Sequence, residues 1–166
     1  SMSTLFVNNL NTASGSTIQV ASGKTIHQSG SVIQVVNSTK SGAVTSTSQS
    51  SYTDTGLTAT ITPKYSSSKI FVTFSQAGLA ANNSGTDIDL RLLRGSTNLA
   101  DLAGLVLEGV TPGNVTLASH WLDSPSTTSA TTYKIAITAW STDNAYINRT
   151  VSDSDAGNYG RGVPKG

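Results

Sequence analysis

The chain contains no cysteine, so no disulfide can staple it and burial with hydrogen bonding must hold it together. Charge is scarce as well. Only 11% of the 166 residues are charged, the formal net charge is +1, and lysine and arginine never form a run. A nucleic-acid surface concentrates basic side chains to neutralise phosphates, so no nucleic-acid partner is expected. No stretch approaches the ~18 apolar residues that span a bilayer as a helix, and no membrane insertion is expected. The opening residues lack the basic start and apolar core of a signal peptide. Together with the missing cysteines, this predicts synthesis in a cytoplasm. Ser1 before Met2 has the form of a cloning junction, and the natural chain is expected to start at Met2. Enzyme motifs are missing too: there is no G-x-S-x-G elbow and no H-E-x-x-H pair. With 26 serines to choose from, a Ser, His, Asp order has no diagnostic value. Neither catalysis nor a cofactor is expected.

What is present is serine and threonine, 26 and 24 residues. Their hydroxyls compete with helical backbone, and threonine is stiff at its first side-chain torsion, so the mixture favours strands and tight turns. Residues 115–141 make the pattern explicit. Tyr133, Ile135, Ile137 and Ala139 alternate with Thr132, Lys134 and Thr138, while Val115, Leu117 and Trp121 share a face opposite His120. Joined by the Ser/Thr/Pro-rich connector 123–130, the two runs read as a long antiparallel hairpin. Residues 32–37, 57–62, 69–77, 87–94 and 145–150 read as further strands, and 39–51 as a loop or edge excursion. In residues 87–94, Ile88, Leu90 and Leu92 point inward, with Asp87, Asp89 and Arg91 outward as a solvated or intersubunit ladder. Residues 99–110 are awkward, because Leu99, Leu102, Leu105 and Val106 suit a helical period better. Gly104 and Gly109 oppose a helix, so the segment reads as a short strand and a loop, with a helical turn as the alternative.

About eight strands at ten-residue spacing predict an all-β fold, an antiparallel jelly-roll-like β-sandwich head ahead of an immunoglobulin-like one. Residues 1–31 carry too few apolar side chains to offset the entropy of ordering their own backbone. Either they form a disordered tail or copies from other chains complete their core; their strand-like regularity argues against pure disorder and favours a short N-terminal β-rich oligomerising stem. The expected division is a stem at 1–31, a head at 32–150 and a mobile loop or tail at 151–166.

His27 lies in the stem, where threefold symmetry would gather three imidazoles able to hold a metal or an anion. The plainer reading, an exposed polar residue, is favoured because no further ligand is in sight. Residues 153–158 resemble a calcium loop only faintly, since Gly157 stands where a third ligand belongs and no glutamate follows. Trp121 and Trp140 suit a core or a subunit interface better than a sugar-stacking platform. The polar tips 82–85, 111–114 and 142–146 are the better surface for contact with a glycan, with Asn82, Asn83, Asn114, Asp143, Asn144 and Tyr146 as receptor-binding candidates.

Residues 52–72 (YTDTGLTATITPKYSSSKIFV), 92–100 (LLRGSTNLA), 122–135 (LDSPSTTSATTYKI) and 146–150 (YINRT) carry a resemblance that the opening MSTLFVNNLNTASGSTIQVASGKTI shares. In that order they are similar to small tail-fibre-like or virion structural proteins of tailed phages, of the marine and cyanobacterial type. The resemblance implies a non-enzymatic homotrimer in the virion, synthesised in the host cytoplasm. Its N-terminal stem would attach to other virion proteins, and its head would meet a host surface glycan or protein. A head fibre or capsid decoration protein is the alternative. Members of the group commonly add a short apolar strand after the position of Gly162, where this chain has Val-Pro-Lys-Gly. A final strand is therefore expected to be missing or supplied by a neighbour.

Overall fold

Alternation of apolar and polar residues becomes a ladder only where each strand finds a partner, and the pairing partners decide the architecture. In a computed structural model the chain divides into two compact units, Ser1–Val35 and Val36–Gly166. The structure describes residue 22 and residues 30–46, 51–83, 85–106, 115–139 and 144–149. The expected stem strands, His27, Asn114, Trp140, Asp143 and residues 151–166 lie outside them. Of the first unit only residues 22 and 30–35 are described, without regular secondary structure. The second unit carries eight strands among its described residues and no helix.

These are β1 (Val44–Ser46), β2 (Thr53–Ile61), β3 (Ile70–Ala81), β4 (Asp87–Arg94), β5 (Thr97–Val106), β6 (Val115–Asp123), β7 (Thr131–Ala139) and β8 (Ala145–Ile147). They form two four-stranded antiparallel sheets packed face to face, in the orders β1-β8-β3-β6 and β2-β7-β4-β5. The pairs are nested: β4 with β5, β3 with β6, β2 with β7, β1 with β8. That nesting, closed by the β4–β7 and β3–β8 ladders, is the jelly-roll order. The eighth strand of this order ends at Ile147, and the position after Gly162, where a final strand was expected to be missing or supplied by a neighbour, lies outside the described residues.

Between the sheets the alternating residues meet. Ile88, Leu90 and Leu92 of β4, Ile135 and Ile137 of β7, Leu79 of β3 and Ile147 of β8 are all buried. Burying each such side chain is worth ~1.5–3 kcal/mol relative to exposure. At one end, Arg94 Nη1 donates to both carboxylate oxygens of Asp123, at 2.9 and 2.7 Å, and the Tyr133 hydroxyl donates to Asp123 Oδ2 at 2.7 Å. The cluster ties β4 and β7 of one sheet to β6 of the other.

Residues 115–141 are not a hairpin. Their two strands form as expected, but β6 pairs with β3 and β7 with β2 and β4. Tight hairpins use connections of 2–5 residues, whereas seven residues reach more than the ~10 Å between sheets. The connector behaves as a turn former should. Ser126 sits at φ +53, and the Thr127 hydroxyl accepts the Ser129 N–H at 3.0 Å.

Residues 99–106 are strand throughout, and a bulge explains their three-residue spacing. Between the pairs Leu90↔Leu102 and Ile88↔Leu105 the register advances two residues on β4 and three on β5. The expected strand at 32–37 is absent. β8 ends at Ile147 and the chain turns away at Asn148 (φ +55), so no ladder exists for residues before Val44 to join. Val32 and Val35 are more than 80% exposed. Conversely β1, an edge strand, lies inside the stretch 39–51 expected as a loop or edge excursion.

Candidate functional site

Strand direction fixes which connections share an end of the sandwich. β1, β3, β5 and β7 run towards one end, and the pairs Ser46↔Ala145, Ala81↔Ala145, Asp87↔Val106, Leu79↔Val115 and Ile88↔Ala139 place their termini there together. The connections 47–52, 82–86, 107–114 and 140–144 all leave from this end. The polar tips singled out in the sequence belong to three of these four.

Of the candidate residues, Asn82, Asn83 and Asn144 gather at this end. Asn82 Oδ1 accepts the Asn144 N–H at 2.7 Å, and the Asn82 N–H donates to the Asn144 carbonyl at 3.3 Å. These bonds close the β3–β8 junction. Asn83 is exposed. Tyr146 is placed differently from the asparagines: it is a β8 residue, 8% exposed, with the Arg149 guanidinium 4.4 Å from its ring centroid. The aromatic face it would offer a sugar is taken by Arg149.

A neighbouring group escaped the sequence reading. Arg91 on β4 makes two bonds to Asp101 on β5, Nε to Oδ1 at 2.5 Å and Nη2 to Oδ2 at 3.1 Å. Its guanidinium carbon lies 3.7 Å from the Tyr52 ring centroid, and Asn98 Nδ2 also donates to Asp101. A cation–π contact beside a bidentate pair preorganises this patch. The hydrogen bond from Arg91 holds the Asp101 carboxyl below its usual range, and burial raises the Tyr52 phenol. The outward position of Arg91 was legible from alternation. Asp101 was hidden by the β5 bulge, and Tyr52 lies before the first residue of β2.

At the opposite end the outer face of β3 and β6 is apolar. Phe71 and its register partner Leu122 are 63% and 55% exposed. The exposed His120 ring lies 5.7 Å from that of Phe71, on the face opposite Leu117 as expected. Trp121, 39% exposed, is only partly covered.

A third feature lies between the sheets. β1 and β8 are three residues each, so beyond them a cavity of about 330 Å³ opens, lined by parts of β2, β3, β4 and β7 and by residues 36–40. Asn148 fastens that segment. Its Nδ2 donates to the carbonyls of Lys40 and Gly42 at 2.9 and 3.1 Å, and its Oδ1 accepts from Gln76 Nε2 at 2.9 Å. Gly78 (φ +64) makes this approach possible, since a Cβ there would stand 3.1 Å from the Asn148 backbone. It sits in the one-residue bulge where the register passes from Gln76↔Leu117 to Leu79↔Val115. Gln76 is 3% exposed, and an unpaired buried polar atom there would cost ~1–3 kcal/mol.

Among the described residues no three His, Cys, Asp or Glu side chains gather as a metal site. The loop end therefore offers hydrogen bonds, a stacked cation and amide groups. No family model, curated protein or solved structure matches the chain.

Proposed function

We propose that the chain is a structural protein of a phage virion, the jelly-roll head of a trimeric tail fibre or tail-spike tip. It holds a host surface receptor, a glycan, by non-covalent contacts. The observation that carries the reading is the convergence of four connections on one end of the sandwich, with Asn82, Asn83 and Asn144 among them. A rigid two-sheet scaffold that presents polar loops at one end suits recognition of a hydroxylated surface. The sequence resemblance to phage fibre proteins supports the same reading.

The test combines assembly, binding and location. Light scattering should return about three times the 17.1 kDa chain mass, and a monomer would refute the trimer. On a glycan array, Asn83→Arg should weaken binding roughly tenfold, while Ser66→Arg at the other end leaves it unchanged; equal effects would refute the loop end as the contact surface. Gold-labelled antibody should mark tail tips of intact particles. Label on the capsid would instead identify a head fibre or decoration protein.

A further inference from the structure

The cavity between the sheets has an apolar stretch of wall and two buried polar side chains, Gln76 and Asn148, whose hydrogen bonds fix which way each amide points. Leu57, Val72, Phe74, Leu92 and Ile135 supply the apolar wall, and polar residues of 36–40, β2, β3 and β7 complete the lining. Asn148 Nδ2 faces two carbonyls, those of Lys40 and Gly42, so the orientation of its amide is fixed. Asn148 Oδ1 must then face Gln76, which must present its NH₂. Both hydrogens of that NH₂ are used, one on Asn148 Oδ1 at 2.9 Å and one on the Ala77 carbonyl at 3.0 Å. Turning the Gln76 amide over would set oxygen against oxygen. What is left is Gln76 Oε1, an acceptor on a 3% exposed residue, with no donor among the described residues. Buried acceptors in folded proteins are paired with protein, water or ligand.

We propose that the cavity binds a small uncharged amphiphile whose hydroxyl donates to Gln76 Oε1 and whose hydrocarbon body lies against the apolar wall. Small-molecule sites run from roughly 300 Å³ upward, and at about 330 Å³ this one stands at the small end of that range, in keeping with a ligand such as a medium-chain alcohol. A single water would satisfy the oxygen without covering the apolar wall. Residues 36–40 border the same space, and their anchor, Asn148, is bonded to Gln76. Occupancy of the cavity therefore bears on how firmly this segment is held.

The experiment is a methyl- and amide-detected NMR titration of the full chain with 1-octanol, with n-octane and octanoate as comparators. 1-Octanol should give saturable shifts at Leu57, Val72, Leu92 and Ile135 and at the Gln76 side-chain amide. n-Octane, which cannot donate, should bind roughly tenfold more weakly. Ala59→Phe, a folded variant by its melting curve, should lose the octanol shifts because the new ring occupies the space. The absence of saturable shifts would overturn the site, as would their persistence in folded Ala59→Phe. Octane binding as tightly as octanol would overturn the role of Gln76. Octanoate binding more tightly than octanol would make Lys40, at the border of the cavity, the anchor and overturn the uncharged class. The three-ligand comparison on the unaltered chain decides the matter even if Ala59→Phe does not fold.

Discussion

Replacing Asp123 by alanine removes the shared acceptor of Arg94 and Tyr133. Three hydrogen bonds go at once, at 2.9, 2.7 and 2.7 Å. The Asp123 side chain is 9% exposed and that of Arg94 is 29% exposed. Removing one partner of a fully buried pair costs ~3–5 kcal/mol, largely by stranding the other charge. Arg94 retains a path to water, so the expected loss is smaller, about 2–4 kcal/mol. For a chain of this size that corresponds to a fall of roughly 5–15 °C in Tm. Urea unfolding of the intact chain, followed by circular dichroism and tryptophan fluorescence, gives the free energy, and an unchanged m-value confirms that the unfolded state is the same. Arg94→Met with Asp123→Leu and Tyr133→Phe should recover most of the loss, because neither a charge nor a buried hydroxyl is then stranded. A loss under ~1 kcal/mol for Asp123→Ala, or the same loss in an Arg94→Met background, would refute the tie between the sheets.

Burial first, then the hydrogen bond to Asp123, keeps the Tyr133 phenol protonated well above its ordinary range. The unfolded tyrosine ionises near ~10, so the unfolded chain releases a proton that the folded chain keeps. Stability should be insensitive to this group below pH ~10 and fall above it. Melting curves at pH 9, 10 and 11 should show a shallower fall for Tyr133→Phe, and an identical fall would refute the assignment. Asn148→Ala removes three side-chain hydrogen bonds and places alanine at φ +55. It should cost ~2–4 kcal/mol and speed limited tryptic cleavage after Lys40 at least several-fold; unchanged cleavage would show that Asn148 does not hold residues 36–42.

The strands that could be read from the sequence are those whose neighbours impose strict alternation. β4 has partners on both sides and appeared with its observed ends, Asp87 and Arg94. β7 likewise lies between β2 and β4, and its inward apolar residues Tyr133, Ile135, Ile137 and Ala139 were identified, while Thr131 on the same face was not. Alternation carries no information about which strand is the partner, so β6 and β7 looked like a hairpin although they belong to different sheets. A bulge resets the phase of alternation, which is why β5 resembled a helix. The three residues of β1 are too few to show any period, while the apolar residues 32–36 imitate a strand without having a ladder to join. At the candidate site, turn-forming asparagines were legible from chemistry alone. The Arg91–Asp101–Tyr52 patch and the Gln76–Asn148 pair were not, because each depends on long-range register.

The nested pairing also orders events during synthesis and folding. β4 and β5 are joined by Gly95 and Ser96 and can pair as soon as both have left the ribosome. β1 has to wait for Ala145–Ile147, a loop on the order of a hundred residues, and closing a loop of that size carries the largest entropic cost in the fold. The chain therefore zips from its middle outward, and its first strand is among the last to be placed. Opening follows the reverse order, since three-residue strands hold the outermost pair. The part of the sandwich that comes loose most readily is thus the part next to residues 36–42, on the N-terminal side of β1. Force applied from that side would open β1 and β8 first, while β4, β7 and the loops they carry stay in register.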